Sequence, residues 1–326
     1  MKVEALKKTS HSHSENSNLS SSVKHTGPRL SVIICTYDRY EALSETLSVL
    51  LTSGGLVDAE TEVLVVENTP PDRRLPISVG PPGKARIEVC ETVGLSAARN
   101  FGIEHTTGDI VAFLDDDAVV CDDWCHKVLH VFDEHPKVMA AGGKVVPRYS
   151  LTQMPAWYND DLAGYLSCVD WSLRPRFLRD GEWIVGANMA FRREVFQRYG
   201  NFNTSLGRKG ASSLLSNDET ALFEQIGIRN VYYSPDMFVH HVIPTGRLTP
   251  DWFRRRVFWQ AVSDLVAGLV KPGDPGLRKE YGEVIGRLEA SRRNLNALCA
   301  EPRDSEEFRL QLRGIYLAAV ALGGGC

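Results

Sequence analysis

Five apolar residues in a row, Ile110-Val111-Ala112-Phe113-Leu114, run straight into three carboxylates, Asp115-Asp116-Asp117. An unbroken apolar run of this length reads as a short strand buried on both faces, the habit of a sheet covered by helices on each side. The three acids that follow repel one another, and a fold keeps them together only around positive charge. A hard divalent ion such as Mg²⁺ or Mn²⁺, itself carrying a phosphate, suits them. Open α/β sheets bind ligands just beyond the carboxyl ends of their strands, which is where these acids fall. The competing reading is a solvated acidic turn, with Asp116 or Asp117 capping a helix that starts near Asp122-Asp123-Trp124.

The preceding residues repeat the pattern. Leu30-Ser31-Val32-Ile33-Ile34-Cys35, Glu62-Val63-Leu64-Val65-Val66 and Arg86-Ile87-Glu88-Val89-Cys90 read as strands. A helix is expected from Tyr40 to Leu51, with Leu43, Leu47, Leu50 and Leu51 on one face, and another opens at Val93-Gly94-Leu95-Ser96 with Ser96 as its N-cap. This alternation gives a mostly parallel sheet with helices on its faces. Three strand ends then carry polar groups, at Thr36 to Asp38, at Glu67-Asn68 and at Asp115 to Asp117. In a parallel sheet these ends share one edge, so the groups converge on a binding site built from loops.

Composition removes several function classes. The net charge of −4 over 326 residues provides no basic field for nucleic acid. Seven cysteines without a C-x-x-C pair read as reduced thiols, and no apolar run reaches the roughly 20 residues of a membrane span. Without the apolar core of a signal peptide the expected location is cytoplasmic. Residues 1–27, rich in Ser, His, Asn and Lys, read as a disordered tail.

Taken together, these segments resemble the family 2 glycosyltransferases. Ser31-Val32-Ile33-Ile34-Cys35-Thr36-Tyr37-Asp38-Arg39 resembles that family's opening strand, and Val65-Val66-Glu67-Asn68 its second strand end, with Glu67 where Asp is commoner. Gly94-Leu95-Ser96-Ala97-Ala98-Arg99-Asn100 is typical of it, and Phe113 to Asp117 resembles its D-x-D motif. The resemblance implies a GT-A fold, a Rossmann-like and mostly parallel central sheet with flanking helices. It further implies a nucleotide-diphosphate sugar donor, UDP-linked by preference, a Mn²⁺ or Mg²⁺ cofactor, and inversion at the anomeric carbon. Carried over by position, Thr36, Tyr37, Asp38 and Glu67 line the nucleoside pocket. Arg99 lies near the nucleotide, Asp115 and Asp116 approach the donor with Asp116 at its ribose, and Asp117 binds the metal.

The second half adds the remaining candidates. Trp157, Tyr158, Tyr165 and Trp171 could stack on an acceptor or serve as core. Trp183 to Arg192 reads as a strand whose Asn188 the resemblance places near donor and acceptor. Leu206 to Ser213 reads as either a closing lid or a solvated connector. Ser216-Asn217-Asp218-Glu219-Thr220-Ala221-Leu222 opens a helix, where acids also suit the helix dipole. By resemblance it matches an E-D-x-x-L motif with its two acids exchanged, which places the catalytic base on Glu219 first and Asp218 second. His241, at the end of the strand Tyr232 to His241, would reach the metal, and Arg247 would clamp the diphosphate. Thr249-Pro250 starts a helix bearing Arg254-Arg255-Arg256, read as a solvated basic face or as one resting on an anionic bilayer.

The expected organisation is a tail over 1–27, a nucleotide-sugar-binding subdomain over 28–145, an acceptor-binding and catalytic subdomain over 146–250, and a C-terminal helical extension over 251–326. The expected acceptor is a glycan, a lipid-linked glycan, a peptide or a small metabolite, with peripheral contact at the inner face of the membrane. Two readings compete with this transferase. A nucleotidyltransferase would show a glycine-rich phosphate loop after the first strand, and Thr36-Tyr37-Asp38-Arg39 contains no glycine. A non-catalytic sugar-nucleotide-binding protein would have no need of Asp117, Glu219 and His241.

Overall fold

The computed structural model describes residues 27–52, 60–78, 84–210, 213–293 and 295–323, so the expected tail, apart from Gly27, lies outside the described residues. In chain order the elements are β1 (Leu30–Thr36), α1 (Tyr40–Leu51), β2 (Thr61–Glu67), β3 (Arg86–Val89), α2 (Leu95–Glu104), β4 (Ile110–Asp115), β5 (Ala118–Val120), α3 (Trp124–Glu134) and β6 (Ala140–Tyr149). They continue as β7 (Arg176–Phe177), β8 (Asn188–Arg192), α4 (Glu194–Tyr199), α5 (Asp218–Ile226), β9 (Val231–Ile243), α6 (Pro250–Val266), α7 (Pro275–Arg287), α8 (Leu295–Leu298) and α9 (Ser305–Ala321).

The unbroken apolar strands are buried on both sides, as their composition requires. Val32, Ile34, Ala112 and Leu114 pack with Leu43, Leu47 and Leu50 of α1 and with Trp124 and Val128 of α3. The intervening Ile33, Val111 and Phe113 point the other way, onto Ala98 and Ile103 of α2 and Leu222 of α5. Gly102 permits that contact, because a Cβ there would come within 2.5 Å of the Ile33 side chain.

The strands form one nine-stranded sheet in the order β3-β2-β1-β4-β8-β6-β9-β5, with β7 paired to β9. From β3 to β4 every pairing is parallel, and the register sets Thr36 beside Glu67 and Cys35 beside Asp115. The expected common edge therefore exists. Beyond β4 the sheet is mixed, because β8 runs antiparallel to both β4 and β6. The irregular segment before β8 brings the chain back without a helical crossover, so no parallel return is imposed. β6 crosses residues 145–146, so the two expected subdomains share one sheet.

The short strand β5 has a large consequence. It pairs antiparallel with β9, setting Ala118 opposite His241, and Val242 N donates to Asp117 O at 3.1 Å. A histidine more than a hundred residues away is thereby fixed against the acidic strand end. The C-terminal helices dock on the same core, with Trp157 packed edge-on to Phe253 of α6 and Phe308 of α9 at 5.7 and 4.9 Å between ring centroids. Trp157 and Tyr158 are thus core, the second of the two roles open to them; the Tyr158 hydroxyl meets that of Tyr149 at 2.6 Å.

Candidate active site

The three acids closing β4 face different surroundings. Asp115 retains 32 % side-chain exposure and looks into a cavity. Asp116 is buried: Thr36 Oγ1 donates to its Oδ2 at 2.9 Å, and Arg39 Nη1 lies 3.0 Å from its Oδ1. Burial pushes its carboxyl up to about 7 against the pull of Arg39, with Asp117 and Asp115 adding to the rise. Asp117, also buried, meets Arg39 Nη2 at 2.6 Å, His241 Nε2 at 3.2 Å and Arg247 Nη2 at 3.7 Å. Burial would raise its carboxyl too, but His241, Arg39 and Arg247 hold it well below the ordinary range. The solvated-turn alternative fails on these contacts, and α3 is preceded by Asp123 in the left-handed region with no side-chain cap bond.

A divalent ion fits this end of the sheet. Ligand atoms of Asp115, Asp117 and His241 all lie within 4.8 Å of one another. Asp117 Oδ1 and His241 Nδ1 are buried without a hydrogen-bond partner, which a folded protein rarely tolerates without a purpose. Two carboxylates and one imidazole are a donor set that suits Mn²⁺ and also accepts Mg²⁺.

A second pair of acids opens α5. Asp218 is buried against Arg99, whose Nη1 donates to it at 2.7 Å, and the Ser96 hydroxyl lies within reach of both Asp218 (3.1 Å) and the Leu206 carbonyl (2.9 Å). Ser96 is therefore not the expected N-cap; Gly94 precedes α2, and the hydroxyl ties α2 to α5. Burial raises the Asp218 carboxyl, but Arg99 and the hydrogen bonds to it bring it below the ordinary value. Glu219, with 19 % of its side chain exposed, is pushed up to about 8 by burial and by the adjoining Asp218 charge. The Arg99 guanidinium lies 3.8 Å from both Asp115 and Glu219, so one buried cation joins the two acid groups. Gly186 makes the space, since a Cβ there would sit 2.1 Å from Arg99 Nη2.

These groups line one cavity of about 410 Å³. Of the expected residues it gathers Thr36, Tyr37, Asp38, Arg99, Asp115, Asp116, Asp218, Glu219 and Arg247. Asp117 and His241 lie just behind, touching it through Arg247. Two expected residues are elsewhere. Asn188 is fully buried as a strut, accepting from Trp124 Nε1 at 3.1 Å and donating to the Met237 carbonyl at 2.6 Å. Glu67 is buried outside the cavity lining, where its Oε1 accepts from Thr69 N at 2.8 Å and its neighbour Asn68 lines the wall.

Sequence reasoning missed Arg39, Arg208 and Arg256, all of which line the cavity. Arg256 was legible only as part of a basic run, and the structure dissolves that run. Arg254 is buried, bonding Asp251 and the Leu298 carbonyl; Arg256 turns into the cavity; Arg255 alone is exposed. No continuous basic face exists there to rest on a bilayer. The segment from Leu206 is likewise no free connector, because Leu206 is buried and the Arg208 carbonyl accepts from Leu95 N at 2.9 Å.

A nine-stranded mixed sheet with flanking helices, an Asp-rich strand end, an opposing carboxylate and a cavity between them has GT-A architecture. Residues 31–200 match the family model described as glycosyl transferase family 2, and the chain belongs to that family. A glucosyl-dolichyl phosphate glucuronosyltransferase of Haloferax volcanii is 28 % identical over 301 residues, covering 90 % of this chain and 95 % of the relative. The succinoglycan biosynthesis protein ExoM of Rhizobium meliloti is 25 % identical over 308 residues, covering 89 % and 91 %. Among solved structures, the mannosyltransferase PcManGT of Pyrobaculum calidifontis, in complex with GDP-Man and Mn²⁺, shares the fold at a TM-score of 0.54 and 18 % identity, over 90 % of this chain and 86 % of that one.

Proposed function

We propose that this glycosyltransferase moves a sugar from a nucleoside-diphosphate donor to an acceptor hydroxyl with inversion. Glu219 is the base, and Asp115, Asp117 and His241 hold a Mn²⁺ or Mg²⁺ ion. The observation that carries this reading is the placement of Glu219 and Asp115 in one cavity, each 3.8 Å from a different nitrogen of the Arg99 guanidinium. When bound, the ion supplies positive charge to the leaving diphosphate as its bond to the sugar breaks.

The chain's own residues do the rest. The acceptor oxygen bonds to the anomeric carbon as the bond from that carbon to the diphosphate oxygen breaks. The electron pair leaves with the diphosphate, and the acceptor proton passes to the Glu219 carboxylate. Of the two neighbouring acids Glu219 suits the task better. Its raised proton affinity makes it the stronger base, whereas Asp218 is held as an anion by Arg99. Asp218 therefore positions Arg99, which fixes the spacing of the two acid groups. Arg208 and Arg247, both in the wall, are set to meet diphosphate oxygens.

UDP, implied by the family resemblance, is the first donor base to test, and GDP, present on the structural neighbour, the second. The buried thiols of Cys90, Cys121 and Cys168 support action in the cytoplasm. Among the described residues no helix is long and apolar enough to cross a membrane. The dolichyl phosphate in the name of the Haloferax relative supports a lipid-linked acceptor reached by peripheral membrane contact. A nucleotide-sugar panel with Mn²⁺, read by thermal shift and then by diphosphate release, tests the proposal. One nucleotide sugar should raise the melting temperature and turn over. Stabilisation by none of the panel would overturn the reading.

A further inference from the structure

A second cavity, of about 460 Å³, adjoins the first and shares Ser167, Ser216, Glu219 and Arg256 with it. The proposed base therefore stands on a wall common to two chambers, and only the first of them also reaches the acids of the sheet edge. Away from the shared wall, the second chamber is lined by Trp183, Gln260, Asp264 and Leu269.

Two features of this chamber call for a ligand. The first is Trp183, a residue 41 % exposed although its surroundings hold it in place. It meets Trp171 edge to face at 4.6 Å, and Trp171 Nε1 donates to its carbonyl at 2.7 Å. Gly164 allows it to lie close, since a Cβ there would come within 3.3 Å of the ring. A large, fixed and exposed indole beside preset polar groups is a platform for a sugar ring. Those polar groups are set by Asp264, which accepts from Asn217 Nδ2 at 2.6 Å, Gln260 Nε2 at 2.7 Å and the Tyr316 hydroxyl at 2.6 Å.

The second feature is Arg256. Among the described residues its buried Nη1 has no hydrogen-bond partner, and its Nη2 has only the Ser216 hydroxyl, at 3.4 Å. Among the described residues no carboxylate lies in ion-pair range of it. Burial and the repulsion of Arg208 pull its pKa down to about 10, against the weaker attraction of Glu219 and Asp264. A buried guanidinium with no carboxylate in ion-pair range is costly, and a substrate anion is a group that would relieve it.

We propose, resting on the transferase reading above, that the second cavity is the acceptor site and that its acceptor is an anionic saccharide. The sugar ring lies against Trp183, its phosphate or carboxylate meets Arg256, and its reacting hydroxyl is presented to Glu219. The two sources of negative charge share one chemistry, an oxyanion on a sugar, and the probes below separate them.

The test uses the full chain saturated with Mn²⁺ and the nucleoside diphosphate that binds it, titrated by saturation-transfer NMR with glucose 1-phosphate, methyl glucuronide and methyl glucoside. At least one charged sugar should bind about tenfold more tightly than the neutral one, and whichever does so identifies phosphate or carboxylate. Arg256→Gln should erase that preference, while Arg255→Gln, on the exposed face, should preserve it. Trp183→Ala should weaken all three sugars and keep their ratio. Equal binding of charged and neutral sugars would overturn the proposal. So would an Arg256→Gln variant that lost affinity for the nucleoside diphosphate while keeping the sugar preference, because Arg256 would then serve the donor. Failure of the underlying transferase reading is a separate result: the unmodified chain would show no Mn²⁺-dependent affinity for any nucleoside diphosphate.

Discussion

The acids at the end of β4 and the acids at the start of α5 each pair a carboxylate held low with one pushed up, but the cations around them differ. At the strand end, His241, Arg39 and Arg247 crowd Asp117 and keep it ionised in a buried place. At the helix start, one cation serves two carboxylates. Arg99 satisfies Asp218 and leaves Glu219 to take up a proton near neutrality. Environments that push neighbouring carboxylates apart assign them different work, one group as a fixed anion and another as an acid–base. In the proposed reading the first group holds a cation and the second exchanges a proton.

Removing the proton acceptor breaks this contrast most severely. Glu219→Gln should lower kcat by roughly 10²- to 10⁴-fold with little change in donor KM, as steady-state kinetics would read. Asp218→Asn should behave differently, with a loss of thermal stability accompanying its loss of rate, because it strands the Arg99 charge.

Next in size is the bridging cation. Arg99→Leu leaves Asp218 buried and unpaired and should cost about 3–5 kcal/mol of stability by denaturant unfolding. A variant that remained as stable as the parent would show that the two acid groups do not depend on one another.

The pH profile sharpens the comparison. Glu219 must lose its proton to act, and its carboxyl sits at about 8. The rate should therefore climb as pH rises from 6, gaining roughly tenfold per pH unit until it levels off above about 8. A rate already level at pH 6 would place the base elsewhere. The smallest effect belongs to Asn188→Ala, which should cost about 1–3 kcal/mol through its lost bonds to Trp124 and Met237 while leaving donor affinity unchanged.

The acidic half of the site was legible because its signals are local. An apolar run ending in Asp115 to Asp117 shows burial and charge within eight residues, and a parallel alternation sends Thr36 and Asp115 to the same edge. The order of the strands after β4 was not legible, since nothing in the spacing of residues 150–187 declares that β8 returns antiparallel. Arg39, Arg208 and Arg256 were missed for the same physical reason. A cation on a loop or on a mixed helix face looks the same in sequence whether it meets solvent or a buried acid. Asn188 shows the converse, a polar residue in a promising segment whose amide is consumed by the backbone of β9.

The most direct test of the cation site is calorimetric titration of nucleoside diphosphate with and without Mn²⁺ for the parent chain and for Asp117→Asn, each shown to be folded by its melting curve. The parent should bind with strong metal dependence, and the folded variant should lose that dependence. Equal metal-dependent binding by both proteins would contradict the role given to the end of β4.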